Sequence, residues 1–209
     1  MSRETLTRTE ERRLRRRANL PGAKRRAPDP EREHRVERQA SASAPLYTVE
    51  LSEAPFELRF YRAVAVAETV QDGARRPSLR RGSRALLAYL AGGNAAERKI
   101  AVTAPIGQEP GPIRGWRVRF TMPAGETPET LPAPSDADVA LCVAGEERLA
   151  VVRFSGLATA RRLAREELRL RDWAKRRRLP LALTARHLYY DGPMTLPWRR
   201  RTEVAVAVK

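Results

Sequence analysis

Side chains able to do chemistry are few in this 209-residue chain. Its one cysteine, Cys142, excludes an internal disulfide framework and points to a reducing compartment. With only two histidines, His34 and His187, there is no metal-ligand spacing in the chain, so no metal site is expected. Ser155, in "RFSG", falls between a strand pattern and a helix pattern with no evident base. Neither a Gly-rich phosphate loop nor a G-x-S-x-G motif is present, and the chain is not expected to be an enzyme. Cys142 shares strand parity with Ala140 and Ala144 and reads as a small packed residue rather than a thiolate. His187, in "TARHLYY", reads as a hydrogen-bonded structural histidine in preference to an axial ligand, and His34 as solvated. Glu68 shares the parity of Val64, Val66 and Val70, which leaves two readings. It is a lone carboxylate facing an apolar space or, preferred here, the exit of its strand to solvent.

Arginine dominates what remains. There are 41 Lys and Arg against 25 Asp and Glu, a formal net charge of +16, which biases the protein toward anionic partners. Ala and Arg recur along the whole chain, so compositional bias accounts for part of that charge. Residues 1–44 hold 13 Lys and Arg and 7 Asp and Glu, and their large apolar residues, Leu6, Leu14, Leu20 and Val36, are too sparse for a core. This stretch reads as a basic, disordered and dispensable N-terminal tail ahead of a folded domain over 45–209. "RRLRRR" at Arg12 to Arg17 could hold phosphates or anionic lipid nonspecifically, although a solvated charge run is the simpler reading. No stretch reaches the ~18 consecutive apolar residues of a membrane span, and no secretory signal is evident, so a soluble, cytoplasmic protein is expected.

The elements that must position these residues follow from periodicity. Tyr47 to Leu51 and Phe56 to Tyr61 predict a hairpin around Glu-Ala-Pro, followed by a strand over Ala63 to Val70 whose alanine face lets another element approach closely. Leu79, Ser83, Leu86 and Leu90 predict a helix from Pro77 to about Ala91, ended by Gly92-Gly93-Asn94. "RKIAVTAPI" reads as the next strand, stopped by Pro105, and Trp116 to Met122 alternates as another. Beyond the proline-rich 123–134 stretch the same order returns: strands at Val139 to Val143 and Leu149 to Phe154, a helix over Thr159 to Arg178, then strands at Leu181 to Tyr190 and Glu203 to Val208. Strands pairing before a helix intervenes predict an α+β fold of two similar ββαββ halves, with both helices packed on a curved antiparallel sheet.

Six segments in this order resemble the SOUL heme-binding protein family: "YTVELSEAPFELRFYRAVAVAETV", "KIAVTAPI", "WRVRFTMP", "LPAPSD", "VVRFSG" and "YYDGPMTLPWRRRTEVAV". The resemblance spans roughly Leu46 to Lys209. It implies a distorted antiparallel β-barrel flanked by two helices, a distant likeness to the gyrase-inhibitor-like small-molecule-binding modules of bacteria, and heme or another tetrapyrrole as ligand. It also implies where the ring rests, on the first helix and the loop near the C-terminus. Carried over, these are Arg80, Arg81 and Arg84 for the propionates, Leu87 and Ala88 for the ring, and Met194 and Trp198 in the loop, where Gly192 stands in place of the family's proline.

Two other function classes stay open on the residues. A cavity-type binder or hydrolase of small organic molecules would use Glu68 inside the barrel. A basic nucleic-acid-binding protein would account for the charge, but it should show aromatics interleaved with the basic clusters or a recognisable module, and apart from Trp173 and Trp198 neither stands out. Oligomeric state is not legible.

Overall fold

A computed structural model describes residues 47–192 and 194–209, and the expected tail over 1–44 lies outside the described residues. The strands are β1 (Tyr47–Glu53), β2 (Phe56–Tyr61), β3 (Val64–Gln71), β4 (Ile106–Pro110), β5 (Trp116–Thr121), β6 (Ala140–Ala144), β7 (Glu147–Ser155), β8 (Leu181–Tyr189) and β9 (Arg201–Val208). Helix α1 (Arg75–Leu90) follows β3, and α2 (Ala160–Arg176) follows β7. All ladders are antiparallel, in the order β1-β2-β7-β9-β8-β4-β5-β3-β6.

The α+β class and the antiparallel sheet with two helices are as expected, whereas the implied barrel has no closing ladder. Among the described residues no pairing joins edge strands β1 and β6, so the sheet is open. It nonetheless curls, because residues from both ends, Tyr61 and Leu149 on one side and Val66 and Ala144 on the other, line a single cleft.

The two halves are interleaved in a way local periodicity does not reveal. β2 precedes β3 in the chain yet pairs with β7, and β6 precedes β7 yet pairs with β3. Each half therefore lends its first strand to the other. Contact between the halves is completed at the centre, where Ile106, Gly107 and Gln108 of β4 face Tyr189, Leu188 and His187 of β8.

Both helices lie on one face. α1 covers the alanine face of β3, burying Leu86, Tyr89 and Leu90 with Ala65, Ala67, Val118 and Phe120. α2 buries Leu163, Leu170, Trp173 and Ala174 against Ala150, Val152, Val204 and Val206. The apolar stripe of α1 is rotated from the expected one, with Ser78 and Gly82 fully covered and Leu79 and Ser83 only half-buried. Gly82 is the reason: a Cβ there would sit 2.8 Å from Val118 Cβ and Cγ2, so its absence lets the helix settle onto β5. Gly82→Ala gains helix propensity but meets a β-branched side chain locked in the core, and we expect a net loss of about 1–3 kcal/mol in chemical denaturation. An unchanged or raised midpoint would show that β5 yields freely.

"KIAVTAPI" corrects a second expectation. Residues 99–105 form no strand, and β4 begins at Ile106 after Pro105 rather than ending there. Proline lacks the N–H a ladder requires and suits the entry of a strand as well as its end. Thr103 is held by a hydrogen bond from its Oγ1 to the Thr121 carbonyl. Asn94 closes α1 by donating to the carbonyls of Tyr89 (3.1 Å) and Arg98 (2.7 Å) while accepting from Arg98 N–H (3.0 Å).

Candidate functional site

The sheet has two chemically opposite faces. Along β5, Val118 and Phe120 point to α1 while Arg117 and Arg119 point inward, since side chains alternate along a strand. The inward arginines do not stand alone. Glu68 pairs with Arg117 (3.3 Å) and Arg119 (3.1 Å), Arg119 with Glu109 (2.9 Å), and Arg186 with both Glu109 (2.8 Å) and Glu147 (2.6 Å). This chain of alternating charges crosses from β3 to β7 over the inside of the curl. Burial raises the Glu109 pKa, but Arg186 and Arg119 overcome that and hold the carboxyl below its ordinary range.

A second cluster sits beside the first. Arg59, 1% exposed, forms a two-pronged pair with Glu203, which is fully buried, at 2.8 and 3.1 Å. Tyr190 donates to the same carboxylate at 2.8 Å, as does Arg201. Burial acts against the Glu203 charge, and the bonds from Arg59 and Arg201 more than offset it, leaving the carboxyl below its usual pKa. Tyr61, between these groups, is pushed up to about 12, chiefly by burial.

Glu68 is thus neither a lone carboxylate nor an exit to solvent; it is neutralised by two arginines. The cleft on this face measures about 70 Å³. Ligand pockets for molecules of drug size run to about 300–1,000 Å³, so a porphyrin does not fit here. Cys142 faces the same side as a half-buried free thiol, its pKa pushed up by burial and by Glu68, which agrees with a packed residue rather than a thiolate.

The helix-bearing face carries the residues implied for a porphyrin. Arg80, Arg81, Arg84, Leu87 and Ala88 are all exposed on α1, and no acidic residue lies anywhere on that helix. At roughly 100° per residue, Arg80, Arg84 and Leu87 share its outermost stripe. Arg81 is turned toward the end of β3, where it donates to the Gln71 side chain (3.2 Å) and the Asp72 carbonyl. Arg80 and Arg84 make no ion pair among the described residues, and Leu87 is 42% exposed. Met194 and Trp198 project from the β8–β9 loop, 94% and 67% exposed.

The two parts are neighbours without touching. Arg75, in the first turn of α1, donates to Tyr189 OH at 2.6 Å, and Tyr189 ends the strand that leads into the loop. Among the described residues no hydrogen bond or ring contact joins Arg80, Arg84 or Leu87 to Met194 or Trp198. Beneath them lies the polar centre of the sheet, where Tyr189 OH donates to Gln108 (3.3 Å) and Gln108 donates to the Arg75 carbonyl (2.8 Å). His187 is 8% exposed beside Trp116, their rings 6.3 Å apart. Among the described residues its Nδ1 has no partner, so the hydrogen bond expected for a structural histidine is absent there. Burial and the Arg75 charge lower its pKa to about 4, which keeps the imidazole neutral at physiological pH.

Reasoning from sequence missed Arg59, Glu203, Tyr190 and the paired carboxylates on the inner face. A signal was present in the alternation of arginine with valine and phenylalanine along β5, but the partners come from distant strands. Among the described residues no group of three or more His, Cys, Asp or Glu could hold a metal ion, and no helix is long and apolar enough to cross a membrane.

Solved structures share this fold. The EcmrR C-terminal domain matches with a TM-score of 0.54 at 15% identity, covering 78% of this chain and 98% of that one. A hydrolase encoded by lin2189 from Listeria innocua matches at 0.59 and 11% identity, covering 77% and 94%. An uncharacterized conserved protein from Listeria innocua matches at 0.59 and 13% identity, covering 84% and 98%. At such identities the likeness carries the fold alone. A search of curated proteins found no match. The SOUL heme-binding protein profile matches residues 42–207 of the 209, and the chain belongs to that family.

Proposed function

We propose that this protein binds heme or another tetrapyrrole on the outer stripe of α1 and the β8–β9 loop, without catalysing a reaction. The observation that carries the reading is the family match over residues 42–207. The chemistry of the donor set agrees with it. Arg80 and Arg84 present guanidinium groups without an ion pair among the described residues, suited to propionate carboxylates, and Leu87, Met194 and Trp198 leave apolar surface open to a flat ring. Arg81 is the weaker propionate partner because its own protein already engages it. Heme would bring two carboxylates, a large apolar ring and an iron; the protein's part is to seat the ring and pair the carboxylates. His187 is 8% exposed and covered by the protein, whereas the thioether of Met194 stands in solvent.

Reversing the charge of both propionate partners, Arg80→Glu with Arg84→Glu, should weaken protoporphyrin and hemin alike by about 1–3 kcal/mol, the scale of charge-assisted hydrogen bonds. Both side chains are exposed, so thermal stability should hardly move. Equal affinity of variant and wild type in an absorbance titration would remove α1 from the site. The reading as a receptor for small cations with Glu68 as counter-ion lacks support, since Arg117 and Arg119 already neutralise that carboxylate.

A further inference from the structure

Charge and apolar surface are concentrated at one end of the helix-bearing face. The β7–α2 loop and the β8–β9 loop meet there, Gly156 N–H donating to the Arg200 carbonyl at 3.1 Å. The first turn of α1 leans on the same end, with Arg75 donating to the Ala158 carbonyl at 3.0 Å. Four large apolar side chains stand in solvent on these loops: Leu157 at 51%, Met194 at 94%, Leu196 at 48% and Trp198 at 67% exposed. Around them, Arg76, Arg161 and Arg199 are exposed and make no ion pair among the described residues. The acidic residue of the loop, Asp191, is occupied in accepting from Arg201 N–H at 2.6 Å.

We propose that this end of the molecule docks on the surface of an anionic lipid bilayer. Lone exposed leucines are ordinary on proteins, but a cluster of aliphatic and indole side chains rimmed by unpaired arginines is complementary to a surface with negative headgroups above an apolar layer. Tryptophan favours the headgroup level, and arginine keeps its charge there while its stem lies against the apolar layer. A single-stranded nucleic acid offers the arginines a partner but wants aromatic platforms, and three of the four side chains are aliphatic. The proposal does not rest on porphyrin binding. Both readings use the β8–β9 loop, so the test turns on Leu157 and Arg161, which lie outside the porphyrin site.

Full-length, porphyrin-free protein is floated with phosphatidylcholine vesicles and with vesicles that also contain phosphatidylglycerol. Binding is expected to the second kind and to be much weaker with the first. The pair Leu157→Asp and Arg161→Glu should lower it by about tenfold or more. Circular dichroism of this variant controls for folding. Undiminished binding by the Leu157→Asp, Arg161→Glu variant would overturn the proposal, because the attraction would then come from charge elsewhere in the chain. Failure to bind either vesicle while a single-stranded oligonucleotide binds and depends on these residues would overturn it in favour of nucleic acid. Hemin titration of the same variant keeps the two readings apart: retained hemin affinity with lost flotation supports docking and leaves the porphyrin site standing.

Discussion

Glu203→Ala is expected to lower the unfolding free energy by about 3–5 kcal/mol in urea at neutral pH, the range found when one partner of a buried ion pair is removed. Glu203 is fully buried and receives two bonds from Arg59, one from Tyr190 OH and two from Arg201. Its removal takes this partner from Arg201 and leaves Arg59, at 1% exposure, with Glu57 (2.6 Å) as its remaining counter-charge. The double change Arg59→Met with Glu203→Met should recover much of that loss, because well-packed apolar groups avoid the desolvation of both charges. A loss below about 1 kcal/mol in the single variant would mean that water reaches the cluster. The pH dependence has a definite sign: a carboxyl whose pKa is depressed by folding stabilises above its unfolded pKa, and that stability is lost as pH falls through the folded value.

His187 works in the same direction over a higher window. Folding lowers its pKa from 6.5 to about 4, so between those values the unfolded chain binds the proton that the folded protein refuses. Its neutral form is fully compatible with the fold above pH 6.5; stability falls as pH drops toward 4. A shift of that size corresponds to about 3 kcal/mol. His187→Gln should remove this slope, so wild type and variant should converge or cross as the pH is lowered from 7 to 4. Parallel stability curves over that range would show that the imidazole protonates in place, with its orphaned Nδ1 finding water. The same variant should leave the porphyrin spectrum unchanged, since His187 lies beneath the proposed site rather than in it.

The porphyrin face and the ion-paired face differ in how far they could be read in advance. Arg80, Arg84 and Leu87 share a stripe because one helix period sets their spacing, and that spacing needs no knowledge of any other element. The stripe that is buried was read less well. Periodicity selected Leu79 and Ser83, while Gly82 and its close approach to Val118 turned the helix toward Ser78 and Tyr89. The "KIAVTAPI" segment failed for a related reason. Its apolar residues have strand composition, but β4 forms only from Ile106, where β5 on one side and β8 on the other supply ladder partners.

By itself the sequence determined the element order, the α+β class, the alanine face that receives α1 and the acid-free character of that helix, all properties of neighbouring residues and their period. Only the tertiary structure decided that β2 and β6 exchange halves, that the sheet curls without a closing ladder, and that Glu68 meets Arg117 and Arg119. Arg59 and Glu203 lie 144 residues apart, and what brings them together is the pairing of β2 with β7 and of β7 with β9. Strand pairing is settled by long-range burial and register, which period-two alternation narrows to a face but leaves without a partner.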